Sequence, residues 1–321
     1  MKKLGVKCSI EGKTPPVTVT GGTLRGGMTE LPGNISSQFV SALLLVAPFA
    51  EKEVNIKLTT GLTSRPYVLM TLRCLRQFGI NVRADFDKFV IARQKYTPAR
   101  FEVEGDWSTA SYFLALGAFS EGVEVENLST SSLQGDKVIL DFLRKMGAHV
   151  TVSRDSVTVS KGKLKALRAD FTDCIDLLPT MAALAAMADG ASVFTGIERA
   201  RIKESNRVAA VKDGLTRVGV TVTEDRDQLT ITGLATRKPK EAGKEETGEG
   251  KESETAVADN PGPEIAAIDS QNDHRIAMSF GVLGAARGGI AIMDADCVAK
   301  TFPQFWVNLQ SIGGKLHTNT T

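Results

Sequence analysis

The sequence predicts an α/β fold built from repeated β-α-β-α-β-β units, and three observations carry that expectation. A helix-ending phrase recurs as Leu75-Arg76-Gln77-Phe78-Gly79-Ile80, Leu143-Arg144-Lys145-Met146-Gly147-Ala148, Leu215-Thr216-Arg217-Val218-Gly219-Val220 and Leu309-Gln310-Ser311-Ile312-Gly313-Gly314. The first three glycines stand about 70 residues apart, and self-similarity at a fixed period marks one supersecondary unit used several times. Between the phrases, strand-like alternation and helix-like periodicity follow one another in a constant order, as where helices cover sheet faces.

The elements can be taken in chain order. The opening Met1-Lys2-Lys3-Leu4-Gly5-Val6 matches the last turn of the phrase, so the chain is expected to start inside a repeat. The unit near Phe101 is expected as a strand at 101–103, a helix at 108–119, a strand at 123–126, a helix at 137–146 and strands at 149–152 and 156–159. Gly147 stops its second helix, because a left-handed residue there carries no Cβ penalty. The next unit repeats the order at 177–187, 192–195, 205–218, 221–222 and 229–232. Residues 235–263 are dense in Lys, Glu and Gly with almost no large apolar side chain, and such a segment is expected to be a disordered surface insertion. After Gly313 only a short tail follows, so the last unit lacks its closing strands; an N-terminal segment completing it in a ring would account for both gaps.

Composition narrows the function classes. Apolar content of 42% and charged content of 24% are those of a globular chain, and 321 residues suffice for two domains. A net charge of +2 gives no global basic field to recruit nucleic acid. No apolar run reaches bilayer length, and the N-terminus has no signal-peptide pattern. Cys8, Cys74, Cys174 and Cys297 are scattered, which fits a reducing cytoplasm, and three histidines make a histidine-rich metal site unexpected.

Polar clusters recur at helix starts. Ser36, Ser37 and Gln38 follow the turn Pro32-Gly33-Asn34-Ile35, where free N–H groups, the helix dipole and hydroxyls make a phosphate seat; the same pattern serves as an ordinary helix cap. Ser64-Arg65-Pro66-Tyr67 occupies the equivalent place before the next helix. In Arg201-Ile202-Lys203-Glu204-Ser205-Asn206-Arg207, Lys203 and Arg207 flank Glu204, a carboxyl suited to proton transfer if buried, or a solvated ion-paired helix start if not. Asn272-Asp273-His274-Arg275 and Lys300-Thr301-Phe302-Pro303 bring a cation to helix fronts in the last unit, and Asp176 is a candidate base in the unit before. Such a cleft, rich in Arg and Lys with one Glu and one Asp, suits a small, multiply anionic substrate.

These phrases occur in order with Gly33-Asn34-Ile35-Ser36-Ser37-Gln38-Phe39, Glu104-Gly105-Asp106, Ser111-Tyr112-Phe113, Leu133-Gln134-Gly135-Asp136 and Ala299-Lys300-Thr301-Phe302-Pro303. Together they resemble the 3-phosphoshikimate 1-carboxyvinyltransferase (EPSP synthase) family, from Leu4 to about Ile312 outside the charged insertion. The resemblance implies the enolpyruvyl transferase fold, with repeated units in two domains joined by crossover strands and ligands in the closing cleft. It places the junction near Glu104-Gly105, so that 1–103 would be a partial substrate-binding domain and 104–321 a second domain of three repeats, the first domain being incomplete. It implies that Ser36, Ser37 and Ser64 hold the phosphate of shikimate 3-phosphate. Gln38, Tyr67, Asp176 and Lys203 would contact its ring and hydroxyls, and Gln38, Arg207, Arg275 and Lys300 would bind phosphoenolpyruvate. Glu204 would protonate C3 and later remove that proton, Asp176 would orient or deprotonate the 5-hydroxyl, and Lys300 would assist proton transfer.

No metal or organic cofactor is implied; the expected partners are the two small substrates, without nucleic acid or membrane, in a cytoplasmic and mostly monomeric family. Two positions depart from the family. Asn206 replaces a common Asp, and Arg199 stands where some members direct an Asn to the substrate phosphate. The family's Lys-Ser, Gly-Asn-Ala-Gly-Thr and Arg-Pro phrases do not occur before Leu4, so the chain is expected to be a fragment, or one half of a split enzyme with a complementing N-terminal chain as partner, and to be inactive alone. The alternatives are the related UDP-N-acetylglucosamine enolpyruvyl transferase, which shares the fold and phosphoenolpyruvate, and a non-catalytic anion-binding remnant or subunit.

Overall fold

The structure, a computed structural model, describes residues 1–12, 15–236 and 265–317. After a single 3-10 turn at Lys2–Leu4 come β1 (Lys7–Ile10) and β2 (Val17–Gly21), an antiparallel pair. The next unit comprises β3 (Gly27–Leu31), α1 (Ser37–Val46), β4 (Val54–Leu58), α2 (Arg65–Gln77), β5 (Arg83–Ala84) and β6 (Lys88–Ile91). Its sheet order is β3-β4-β6-β5. The pair joined through α1 runs parallel, because a crossover helix returns the chain to the same end, and β6 runs antiparallel to β4.

The third unit has α3 (Trp107–Gly117), β7 (Val123–Glu126), α4 (Ile139–Met146), β8 (His149–Val152) and β9 (Ser156–Ser160), in the order β7-β9-β8. The fourth has β10 (Arg168–Asp170), α5 (Leu178–Met187), β11 (Ala191–Thr195), α6 (Arg207–Arg217), β12 (Thr221–Glu224) and β13 (Gln228–Thr232), in the order β10-β11-β13-β12. The last holds β14 (Ala266–Asp269), α7 (His274–Arg287), β15 (Ile290–Met293) and α8 (Phe305–Ser311), and β14 and β15 pair in parallel. Among the described residues β15 pairs with β14 alone.

The recurring phrase has one backbone cause. Gly5, Gly79, Gly147, Gly219 and Gly313 all adopt a left-handed φ, between +81° and +99°, where a side chain would be strained. Gly5 thus ends a turn as the other four do, and Leu4 is buried at the corresponding place.

Buried apolar residues form two clusters. One runs from Leu4 to Ile91 and packs Val40, Leu44, Val68 and Leu75 of α1 and α2 on Ile56 and Phe89; the other runs from Trp107 to Leu309. In α4, Ile139, Leu140, Phe142, Leu143 and Met146 face inward while Asp141, Arg144 and Lys145 lie outside, so the helix is amphipathic. α5 is apolar on every side and buried nearly throughout, the mark of a central helix, and it packs against α7, α6 and α3.

The expected strand at 101–103 does not form. Phe101 stacks on Phe78 with ring centroids 6.0 Å apart, Val103 is exposed, and the segment reaches the third unit at Glu104, which accepts from the Ser132 hydroxyl at 2.8 Å, and at Gly105, whose N–H donates to the Asn127 carbonyl at 2.8 Å. The chain is passing between the two cores there, so its side chains answer to neighbours on both sides instead of to a ladder.

Helix starts shift as well. The expected helices at 137–146 and 177–187 open as 3-10 turns, Gly135–Val138 and Ile175–Leu177, and become α-helical at Ile139 and Leu178. The expected helix at 205–218 begins at Arg207, because the Asn206 side chain caps it by accepting from the Ala209 N–H at 3.2 Å. The expected charged insertion lies outside the described residues except for Ala235 and Thr236, which close the 3-10 turn Leu234–Thr236. Among the described residues no helix is long and apolar enough to cross a membrane.

Candidate active site

A cleft of about 870 Å³ opens between the two cores, and Ser36, Ser37, Gln38, Ser64, Tyr67, Asp176, Arg199 and Lys203 line it. Ser36 caps α1, its hydroxyl accepting from the Gln38 N–H at 3.2 Å. Ser64 caps α2 in a left-handed conformation, φ 52°, with Pro66 in the first turn behind it. Asp273 caps α7 by accepting from the Arg275 N–H at 3.0 Å. Helix N-termini carry partial positive charge and unpaired N–H groups, so this arrangement favours an anion in the cleft.

Behind Asp176 and Lys203 lies an ion-pair network centred on Arg207, whose side chain is only 1% exposed. Its Nε donates to Asp273 Oδ2 at 2.8 Å, its Nη1 to Asp176 Oδ1 at 2.6 Å and its Nη2 to Glu204 Oε2 at 2.5 Å. Asp176 also meets Lys203 Nζ at 3.6 Å and Arg275 Nη2 at 3.5 Å, while Glu204 Oε1 lies 3.6 Å from Lys300 Nζ. Three carboxylates thus face four cations, and the charge of the buried Asp136 acts on Arg275 as well. Of the two sequence-level options for the Lys203–Arg207 cluster, the solvated helix start is excluded at Arg207 by its burial. Gln38 shares the cleft with Asp176 and Lys203 but makes no hydrogen bond to Arg207, Arg275 or Lys300 among the described residues.

Burial would raise the Asp176 carboxyl, but Arg275, Lys203 and Arg207 outweigh it and hold the group well below the usual carboxylate range. Burial opposes Arg207 and Lys300 in the same way at Glu204, and the carboxyl is again lowered. Burial, with the charges of Asp136 and Asp176, pushes the Tyr67 phenol far up, so it stays a neutral hydrogen-bonding group. Burial lowers His274, seconded by Arg275, which favours the neutral ring. Arg275 stays charged: Tyr112, Asp176 and Asp136 together overcome its burial.

Several residues of the network carry no role in the sequence-level expectation. Asp273 is fully buried and accepts from Arg207, from Ser205 Oγ at 3.0 Å and from the Arg275 N–H. Its only sequence signal is an Asp before a helical pattern. Asp136 lies fully buried beneath the site, bonded to the Ser108 hydroxyl, and burial with the charge of Asp176 pushes it up to about 6. Among the described residues no three His, Cys, Asp or Glu side chains gather to hold a metal ion.

A repeat-built α/β protein with serine hydroxyls, helix N-termini and a carboxylate between cations lining one cleft is, in class, an enzyme for small polyanionic substrates. The chain belongs to the EPSP synthase (3-phosphoshikimate 1-carboxyvinyltransferase) family, whose model matches residues 1–309. A 3-phosphoshikimate 1-carboxyvinyltransferase of Dehalococcoides mccartyi is 43% identical over 318 residues, covering 98% of this chain and 69% of that protein. The enzyme of that name from Methanosphaera stadtmanae is 38% identical over 95% of this chain and 67% of its own length. The structure resembles EPSP synthase from Acinetobacter baumannii with a TM-score of 0.75 at 27% identity, over 99% of this chain and 70% of that one. The fold is therefore the α/β fold of these transferases.

Proposed function

We propose that the protein transfers the enolpyruvyl group of phosphoenolpyruvate to the 5-hydroxyl of shikimate 3-phosphate and releases phosphate. The observation that carries this most is the position of Glu204, its carboxyl held between Arg207 and Lys300. In this scheme Ser36, Ser37, Ser64 and Arg199 seat the substrate phosphate. Gln38, Tyr67, Asp176 and Lys203 hold the ring and its hydroxyls. Arg207, Arg275 and Lys300, with Gln38 at the edge, receive phosphoenolpyruvate.

The ion pairs suggest how the chemistry proceeds. Arg207 directs four of its five N–H groups at carboxylates, so an arriving phosphoenolpyruvate anion competes with Glu204 and Asp176 as its counter-ion. Glu204, freed from a guanidinium, then binds a proton more readily and can deliver it to C3. Asp176, kept ionised by the remaining cations, takes the 5-hydroxyl proton as that oxygen attacks C2. Phosphate leaves as Glu204 takes back a proton from C3. The cations stabilise the developing charge, and approach of the two halves, 1–103 and 104–321, excludes water.

The four cysteines are free, which fits the proposed cytoplasmic setting, and the partners proposed are the two small substrates. Calorimetry with shikimate 3-phosphate, followed by phosphoenolpyruvate in its presence, tests the proposal. Saturable binding of the first and enhanced binding of the second are expected. Binding of a UDP-sugar in place of shikimate 3-phosphate would overturn it.

A further inference from the structure

The two halves of the molecule are hydrogen-bonded around Ser64, besides the bond from Arg73 Nη1 to the Ser131 carbonyl at 3.2 Å. The Ser64 N–H donates to the Thr172 carbonyl at 3.4 Å, and the next N–H, of Arg65, donates to Asp173 Oδ1 at 3.0 Å. Arg199 joins both partners: its Nη2 donates to Ser64 Oγ at 3.1 Å and to the Thr172 carbonyl at 2.6 Å. Ser64 is buried with φ 52°, a conformation that a residue with a Cβ keeps only when its surroundings hold it.

Arg199 also differs from Arg207. Arg207 directs four of its five N–H groups at three carboxylates, whereas Arg199 forms no ion pair among the described residues, and its Nε and Nη1 have no hydrogen-bond partner there. A half-buried guanidinium with an unfilled fork facing a cleft is prepared for a phosphate.

We propose that Arg199, beyond the phosphate contact assigned above, latches Ser64 of the first half to the Thr172-Asp173 loop of the second and aims the Ser64 hydroxyl at the substrate phosphate. Because Ser64 Oγ accepts from Arg199, its own proton is left to donate into the cleft. The phosphate then receives bonds from Ser64 and from the open side of the Arg199 fork, so one anion grips both halves. The identity of the anion rests on the function proposed above; the latch does not.

Hydrogen exchange by mass spectrometry, read on a peptide containing Ser64 and Arg65 in the ligand-free protein, tests the latch. Arg199→Ala is expected to raise exchange there about tenfold while β4 stays protected. Its dissociation constant for shikimate 3-phosphate should rise about ten- to hundredfold, the range of a charge-assisted hydrogen bond. Arg199→Lys, which keeps the charge and loses the fork, should recover affinity for inorganic phosphate without recovering the protection. If Arg199→Ala also loosens β4, Arg199→Gln supplies the same comparison. Unchanged exchange at Ser64 overturns the latch, and unchanged affinity overturns the phosphate contact. Failure of the unsubstituted protein to bind shikimate 3-phosphate removes the proposed function while the exchange result still decides the latch.

Discussion

Arg207 and Asp273 meet through two hydrogen bonds, Nε to Oδ2 at 2.8 Å and Nη2 to Oδ1 at 3.4 Å, at a place where neither side chain reaches solvent. Asp273 also caps α7 and accepts from Ser205, so one carboxylate fixes the start of a helix and the orientation of a guanidinium 66 residues away. A buried pair of this kind costs much to desolvate, and removing one partner strands the other's charge. Asp273→Asn keeps the cap and loses the charge. It should destabilise the protein by about 3–5 kcal/mol in urea denaturation, and Asp273→Ala by about 1 kcal/mol more. A loss below about 1 kcal/mol for Asp273→Asn would show that Arg207 finds compensation in Asp176 and Glu204.

Glu204 offers the plainest test of the proposed chemistry. Glu204→Gln keeps the shape and loses the proton, so phosphate release, assayed with the complementing N-terminal chain supplied, should fall by about 10²- to 10⁴-fold relative to the unsubstituted protein. Affinity for shikimate 3-phosphate should stay within about threefold, since that ligand is assigned to other residues. A variant retaining more than about a tenth of the rate would sink the assignment.

Asp136 should leave its mark on stability as a function of pH. Its folded value of about 6 lies above the ordinary carboxyl value, so the folded chain binds this proton more tightly than the unfolded chain. The contribution of Asp136 therefore falls as pH rises from about 4 to about 6, and the penalty is complete above that window. Asp136→Asn should flatten this part of the profile and add roughly 1–3 kcal/mol at pH 8, read from urea midpoints at several pH values. Unaltered pH dependence would mean that Asp136 titrates alike in the folded and the unfolded chain.

Asp176 and Asp273 act in the opposite direction. Asp176 is held below its ordinary value by Arg275, Lys203 and Arg207, and Asp273 by Arg207 with the Arg275 N–H and the Ser205 hydroxyl, each against the effect of burial. Their stabilisation is full above about pH 4 and is lost as pH falls through the lowered values. An acid titration of the double variant Asp176→Asn, Asp273→Asn should consequently show a shallower loss of stability than the parent below pH 4.

Packing between α6 and α7 gives a test away from the site. A Cβ on Gly214 would meet the Phe280 ring, with Cε2 at 2.8 Å and Cζ nearer still. Alanine is the better helix former by about 1 kcal/mol, but overpacking a tight contact costs about 1–3 kcal/mol. Gly214→Ala is therefore expected to lower Tm, and a raised Tm would show that Phe280 moves aside without cost.

Much of the fold was legible because its signals are local. A left-handed glycine after an apolar phrase ends a turn wherever it occurs, so the five-fold recurrence, Gly5 included, reads directly from the chain. The serines at helix starts were visible for the same reason. Asp273 was less so: as a cap it looks like any Asp before a helix, and its pairing with Arg207 has no signature at that separation. The strand expected at 101–103 shows the converse failure. Phe101 and Val103 have strand-like alternation, but the nearest partners are Phe78 on one side and Asn127 on the other, with no free ladder between them.

By itself the sequence determined the repeat, its phase, the glycine stops and the ordered motifs that the family shares, since each depends on residues close in the chain. Tertiary structure alone decided which polar clusters are buried and which carboxylate neutralises which cation. The same holds for Arg199 spanning the two halves. The physical reason is that desolvation and ion pairing are set by neighbours in space. In Lys203-Glu204-Ser205-Asn206-Arg207 an exposed helix start and a buried proton-transfer site spell the same five residues, and only the approach of Asp176 and Asp273 separates them.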